Sequence, residues 1–372
     1  MPSIDVCGQR LAGQHLINQK LQRASEVVQL LGAVQAQDYA PAKWALAQRT
    51  RGVTDAEVEK EISDGAILRT HVLRPTWHFV VPADIRWMLE LTAPRVRALL
   101  AHYDRKLELD AAVLRRSRAV FTKVLRDGKQ LTRTELALAL TKSGIRADGT
   151  QRLAHLVMHS ELDGLICSGP RRGKQFTYAL LEERVPPAKK LSRDEALVEL
   201  ARRYFTTRGP ATTDDFAWWS GLTKTDAKHG AEAQSKLEQT IIGDRNYWFQ
   251  PFPLPGKSSS PIARLLPNYD EYFIGLKDRS AIQTKLDMAD VEGTLSYLRG
   301  HIATVDGQII GGWDRTLKGK SAIVTVRPMT FLGDAARAAI AREVDRFAKF
   351  LQLPARLEVV GAYLKQPRKA EG

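Results

Sequence analysis

Apolar residues recur at helical spacing in Ala24-Ser25-Glu26-Val27-Val28-Gln29-Leu30-Leu31, and Gly32 stands where a left-handed stop would end such a helix. Residues 33–37 then read as a short extended link. Pro41 falls in the first turn of a second helix, which runs through Lys43-Trp44-Ala45-Leu46-Ala47. In an extended segment residues i and i+2 share a face, so Gln35 and Gln37 are expected to project side by side between two helices. A helix would throw them to opposite sides.

The same order of elements, three helices and then two short strands, recurs along the chain. The first unit has helices near 23–31, 41–49 and 54–64, then strands at 66–72 and 76–81 around Leu73-Arg74-Pro75. The second begins near 115, carries a capping-box start at Thr132-Arg133-Thr134-Glu135 and a helix at about 150–160, and ends in strands at 165–168 and 175–180. Gly169-Pro170-Arg171-Arg172-Gly173-Lys174 joins those strands as a basic tip. The third starts near 194, after Pro186-Pro187-Ala188-Lys189-Lys190, with a cap at Thr212 or Thr213, a helix near 224–234 and strands at 240–242 and 247–249. Three helices with a hairpin is the plan of a winged helix, which usually meets nucleic acid. Beyond a proline- and serine-rich break at 253–261, alternating segments at 301–305, 308–313 and 321–326 flank two hairpin turns, Asp306-Gly307 and Lys318-Gly319-Lys320. A helix at about 334–350 follows. The expected fold is α+β and helix-rich: three tandem winged-helix units at 1–114, 115–188 and 189–258, then a small antiparallel β-barrel or sheet with a packed helix over 259–372.

Composition narrows the function. A chain of 372 residues is long enough for several domains, and 44% hydrophobic content excludes wholesale disorder. No run of 18 uncharged apolar residues exists, and Met1-Pro2-Ser3-Ile4-Asp5 lacks the plan of a signal peptide, so a cytoplasmic protein without membrane attachment is expected. Cys7 and Cys167 form no CxxC spacing, which argues against a disulfide framework or thiolate metal site. His155 and His159 have the spacing of zinc ligands, but Leu156-Val157-Met158 between them lacks the glutamate of a metalloprotease helix, and no metal is expected. No phosphate-binding glycine loop or iron-sulfur cysteine set is present, so no cofactor is implied. Lys and Arg number 56 against 42 Asp and Glu, a net charge of +14 that favours polyanions, nucleic acid above all.

Several strings resemble the bacterial AlkZ-type winged-helix DNA glycosylases, a family associated with removal of bulky or crosslinking alkyl adducts. They are Leu30-Leu31-Gly32-Ala33-Val34-Gln35-Ala36-Gln37, Arg74-Pro75-Thr76-Trp77-His78, the segment from Gly209 to Gly221, Leu265-Leu266-Pro267-Asn268-Tyr269-Asp270-Glu271-Tyr272 and the segment from Val305 to Trp313. The resemblance implies three tandem winged helices and a C-terminal β-barrel that cradle duplex DNA on a basic concave face. It also implies a catalytic Gln-apolar-Gln motif, which lands on Gln35, Ala36 and Gln37. One branch of the family carries Gln-apolar-Asp; here the acid comes one residue later, as Asp38, where alternation turns it away and a helix N-cap is the preferred reading.

Two neutral amides suffice if the leaving base already carries positive charge. An N7- or N3-alkylated purine departs readily because cleavage neutralises it, which leaves the protein to position water and stabilise an oxocarbenium-like sugar. The expected activity is that of a monofunctional DNA glycosylase acting on alkylated purines in double-stranded DNA, as a monomer with no obligate protein partner. A non-enzymatic winged-helix regulator or architectural binder, and a protein that sequesters an alkylating natural product, are the alternatives. Candidate DNA contacts are Arg171, Arg172 and Lys174 at the second hairpin, Lys318 and Lys320 in the C-terminal hairpin, and Arg69 and His78 in the first. His78 reads equally as a hydrogen-bonded structural histidine, and Asp270 and Glu271 read as structural partners of Arg or Lys.

Overall fold

The computed structural model describes residues 4–18, 20–254, 256, 260–284, 286 and 301–361. Met1-Pro2-Ser3 and part of the 253–261 break lie outside that range. Helix α1 (Val6–Gly13), which the sequence pattern did not reveal, precedes α2 (Ala24–Leu31). Gly32 ends α2 at φ +81°, a backbone state that side chains disfavour, although its ψ of −56° is not that of the left-handed helix. There follow β1 (Val34–Gln35), α3 (Tyr39–Ala47), α4 (Asp55–Ser63), β2 (Leu68–His71) and β3 (Trp77–Val80). A 25-residue helix, α5 (Pro82–Lys106), leads out of this group.

The next group contains α6 (Ala111–Leu125), β4 (Leu131–Thr132), α7 (Arg133–Lys142), α8 (Thr150–Leu162), β5 (Ile166–Ser168), β6 (Thr177–Leu180) and the short α9 (Leu181–Arg184). Then come α10 (Arg193–Arg208), α11 (Thr213–Ser220), α12 (Lys224–Glu232), β7 (Glu238–Ile242) and β8 (Arg245–Phe249). Capping boxes start five of these helices, at Thr54/Glu57, Thr132/Glu135, Ser192/Glu195, Thr212/Asp215 and Thr223/Asp226. Each satisfies backbone N–H groups that a helix start leaves unpaired, which is why these boundaries are sharp. The first two hairpins each gain a third strand, giving sheets in the order β1-β3-β2 and β4-β6-β5.

The last group contains β9 (Ala263–Leu266), α13 (Glu271–Ile274), β10 (Ile302–Val305), β11 (Gln308–Lys318), β12 (Ser321–Pro328), α14 (Asp334–Leu351) and β13 (Ala355–Val359). Of the barrel and the sheet that were expected, the barrel is corrected: the strands form an open sheet in the order β13-β12-β11-β10-β9, and among the described residues no sheet closes. The cause is connectivity. The chain returns from β12 through α14, so β13 pairs parallel with β12, whereas all other pairs in this sheet are antiparallel. The sheet therefore ends in β13 and β9 as two separate edges, and α14 packs against both.

One core is centred on the second group, around Phe121, Leu136, Leu156 and Tyr178, and also takes in Leu107 and Leu109 from the link that follows α5. Two others interleave distant segments. Ala33 joins Met88, Tyr204 and Trp219, whereas Val34 and Ala36 join Trp44, Trp313 and Phe347. The link at 33–37 thus runs along a seam between two cores. Trp44 and Trp313 fasten that seam to β9, their Nε1 groups donating to Leu265 O at 2.8 Å and Leu266 O at 2.7 Å.

Candidate active site

Strand β1 lies antiparallel to β3, with Gln35 opposite His78 and Val34 opposite Phe79. Ala36 extends the pairing by donating its N–H to Trp77 O at 2.7 Å. Because Val34 and Ala36 both enter one core, alternation sends Gln35 and Gln37 to the other face. Their surroundings differ. Gln37 is exposed, and its Oε1 accepts only a long bond of 3.4 Å from the Trp77 N–H. Gln35 is 5% exposed and accepts at Oε1 from Arg74 Nη2 at 2.7 Å. A guanidinium can only donate, so this contact fixes the amide: the carbonyl faces Arg74, and the NH₂ is the end left to present.

The backbone of Gln35 is held as firmly as its side chain. Its N–H donates to Glu271 Oε1 at 2.8 Å. Glu271 Oε2 accepts from Arg208 Nη2 at 2.6 Å and Nε at 3.1 Å, and from Trp219 Nε1 at 2.9 Å. Arg208 in turn donates to Leu31 O at 2.9 Å and Ala33 O at 3.1 Å, and its guanidinium lies 4.3 Å from the Trp219 ring centroid. Arg208, Glu271 and Trp219 are all fully buried, so charge and hydrogen bonds are mutually satisfied. The neighbouring Asp270 makes a bidentate pair with Arg49 at 2.8 and 2.9 Å. Both carboxylates of the Tyr269–Tyr272 string are thus ion-paired within the fold.

Arg74 is positioned from a further direction. Gly221, just past α11, has φ +70°, and a Cβ there would lie 2.4 Å from Leu73 O. Glycine allows the end of α11 to press on the β2–β3 turn. Arg74 lies over Trp218 at 5.9 Å from the ring centroid. Burial lowers the proton affinity of Arg74, Glu271 opposing that effect and Arg208 adding to it. Arg74, Arg208, Trp219 and Glu271 were not singled out in sequence as neighbours of Gln35. The only signal was the presence of Arg74, Trp219 and Glu271 inside the strings that carry the family resemblance; Arg208 directly precedes one of them.

The remaining sequence candidates separate into buried and exposed groups. Arg69, expected at DNA, is 7% exposed: Nε donates to Ala36 O at 3.0 Å, and the guanidinium lies 4.3 Å from the Trp77 ring and 4.7 Å from that of Phe176. Desolvation pushes its pKa down to about 10. His78 is fully buried on the central strand, with Nδ1 bonded to Thr76 O at 2.9 Å. Both are interior groups: β1 and β2 flank the strand that carries His78, in keeping with its structural reading, and Arg69 on β2 is enclosed by Trp77, Phe176 and Ala36 O, away from the solvent expected of a DNA contact. Arg171 stacks over Tyr39 at 5.0 Å and pairs with Glu59 at 3.6 Å. Arg172 pairs with Glu135 at 2.8 Å and caps Gln130 O. Lys174, Lys318 and Lys320 are exposed and make no ion pair among the described residues. Asp38 occupies the N-cap position of α3, as expected, although its side chain forms no capping bond.

Residues 28–350 match the family model described as DNA glycosylase AlkZ-like. The chain belongs to the AlkZ-like DNA glycosylase family. Consistent with this, it is 24% identical over 334 residues to an interstrand DNA cross-link repair glycosylase of Streptomyces sahachiroi, covering 86% of this chain and 89% of that protein. The solved structure of Streptomyces sahachiroi DNA glycosylase AlkZ shares the fold, with a TM-score of 0.75 at 23% identity over 95% of this chain and 98% of that one. The AlkZ-like span contains Gln35, Gln37, Arg74 and Glu271, so the glutamine link and its supports all lie within the family's matched region. No helix among the described residues is long and apolar enough to cross a membrane.

Proposed function

We propose that this protein is a monofunctional DNA glycosylase that hydrolyses the N-glycosidic bond of cationic N7- or N3-alkylated purines in duplex DNA, bulky and interstrand-crosslinked adducts included. The observation that carries the reading is the fixed, unequal pair of amides: Gln35 locked by Arg74 at 2.7 Å and Gln37 left exposed beside it. In the reaction the C1′–N9 bond breaks, and its electron pair neutralises the alkylated purine. Water adds to C1′ and gives up a proton, leaving an abasic site. Gln37, whose carbonyl is weakly engaged, accepts a hydrogen bond from that water and presents its negative end to the developing sugar cation. Gln35 presents NH₂ to a phosphate or sugar oxygen. Unalkylated bases are poor substrates because a neutral amide cannot protonate a departing base.

The helix-and-hairpin groups at 1–114, 115–188 and 189–258 act as tandem winged helices, with 259–372 as a sheet domain behind the glutamine link. The protein works as a cytoplasmic monomer on one asymmetric DNA duplex. Purified protein incubated with duplex containing N7-alkylguanine tests the activity, with Gln35→Ala/Gln37→Ala as control. Release of free base by the wild type and not by the variant, at equal DNA affinity, supports the proposal. A folded, DNA-bound wild type that releases no base overturns it.

A further inference from the structure

We infer that Asp104, His155 and His159 form a binding site for a divalent transition metal of the zinc class, bridging α5 and α8. The two histidines stand one turn apart on α8 and present nitrogens to the same side, as i, i+4 residues do. The glutamate missing from the segment between them is not required for binding, because the third donor, an oxygen, comes from another helix. Asp104, in the last turn of α5, points its two carboxylate oxygens at the pair, Oδ1 to His155 Nδ1 at 3.1 Å and Oδ2 to His159 Nε2 at 3.0 Å. All three donor atoms lie within 4.8 Å of one another, the one such set among the described residues.

Tetrahedral zinc with bonds of about 2.0–2.1 Å to nitrogen and oxygen needs donors about 3.3 Å apart. Each imidazole nitrogen already lies 3.0–3.1 Å from its own carboxylate oxygen, and one oxygen and the two nitrogens lie within 4.8 Å of one another, so small side-chain rotations close the set around an ion. The side chains are 14%, 13% and 7% exposed, enough shelter to exclude competing bulk water and enough opening for an ion to enter with a fourth ligand from solvent. Binding needs no redox partner. Each imidazole moves its proton to its other ring nitrogen, the carboxylate supplies charge, and one metal replaces two hydrogen bonds. The site is remote in sequence from the glutamines, and its role is to clamp the helix leaving the first group to the second group. Protons compete for the same lone pairs, so binding weakens as the solution is acidified.

The test uses the full, tag-free protein stripped with a chelator and titrated with ZnCl₂ by calorimetry, alongside a Co²⁺ titration read by visible absorption. The expected result is one equivalent of Zn²⁺ per chain, a rise in melting temperature, and Co²⁺ bands of tetrahedral intensity. His155→Gln/His159→Gln retains amide donors toward Asp104 and should fold by circular dichroism, yet bind about tenfold or more weakly. Asp104→Asn serves as a second variant with the same expectation. No stoichiometric binding by folded wild-type protein, or equal affinity in the variants, overturns the inference.

Discussion

Arg74 Nη2 meets Gln35 Oε1 at 2.7 Å, a contact between the β2–β3 turn and the glutamine link that sets which end of the amide is available. Removing the guanidinium frees the amide to rotate. Arg74→Ala is expected to lower single-turnover excision by about 100-fold with little change in DNA affinity, since a misplaced group costs rate more than binding. Arg74→Lys should recover part of the rate, because a single ammonium donor restores the bond without the planar fork. Gln35→Glu separates orientation from donation: the carboxylate still accepts from Arg74 but has no NH₂. Excision by Gln35→Glu at the wild-type rate would show that the NH₂ has no role.

Glu271 is expected to govern stability more than chemistry. It is fully buried and accepts from Arg208, Trp219 and the Gln35 backbone. Glu271→Ala leaves Arg208 without its counter-charge, a change that costs about 3–5 kcal/mol in buried pairs. Urea unfolding should show a lowered midpoint for Glu271→Ala, and for Glu271→Gln a smaller loss, since the amide oxygen still accepts one bond. An unchanged midpoint for Glu271→Ala would contradict the buried network.

Which parts of this arrangement were legible in the sequence follows from the range of the interactions. Capping boxes at Thr132 and Thr212, the Asp306-Gly307 turn and the extended link at Gln35 are decided by residues within three or four positions, and the pattern there anticipates the structure. Glu271 reaches Gln35 across 236 positions, and Arg208 reaches Glu271 across 63. No periodicity encodes such pairings. The parallel β13 was missed for a related reason, as its partner is chosen by the α14 crossover and not by a local turn. For Arg69 and His78, alternation names a face and says nothing about what later covers it.

His78 makes stability depend on pH in a definite direction. Burial, reinforced by Arg74, holds its pKa well below the usual imidazole value of 6.5. The folded state therefore keeps it neutral where the unfolded chain takes up a proton. Its contribution is fully present above about pH 6.5 and declines as pH falls below that value, by up to about 1.4 kcal/mol per pH unit. His15 and His301 are shifted in the same direction by burial and add smaller effects. Urea midpoints measured from pH 7.5 to 5.5 should fall for wild type and fall less steeply for His78→Gln; parallel curves would remove His78 as a cause.

Salt dependence should divide the basic residues as burial divides them. Lys174, Lys318 and Lys320 are exposed and without ion pairs among the described residues, and the last two flank Gly319 at the tip of the β11–β12 hairpin. If each neutralises one phosphate, its replacement by Ala reduces the slope of log affinity against log salt by about 0.9. Arg69 is instead enclosed by Trp77, Phe176 and Ala36 O. Arg69→Met should leave that slope unchanged and lower the unfolding midpoint, because it deletes a buried bond to the backbone between the two glutamines. Fluorescence anisotropy on a short undamaged duplex at four salt concentrations distinguishes the two classes. A slope that drops for Arg69→Met and not for Lys318→Ala/Lys320→Ala would place the DNA on the β2–β3 side of the molecule and away from the C-terminal hairpin.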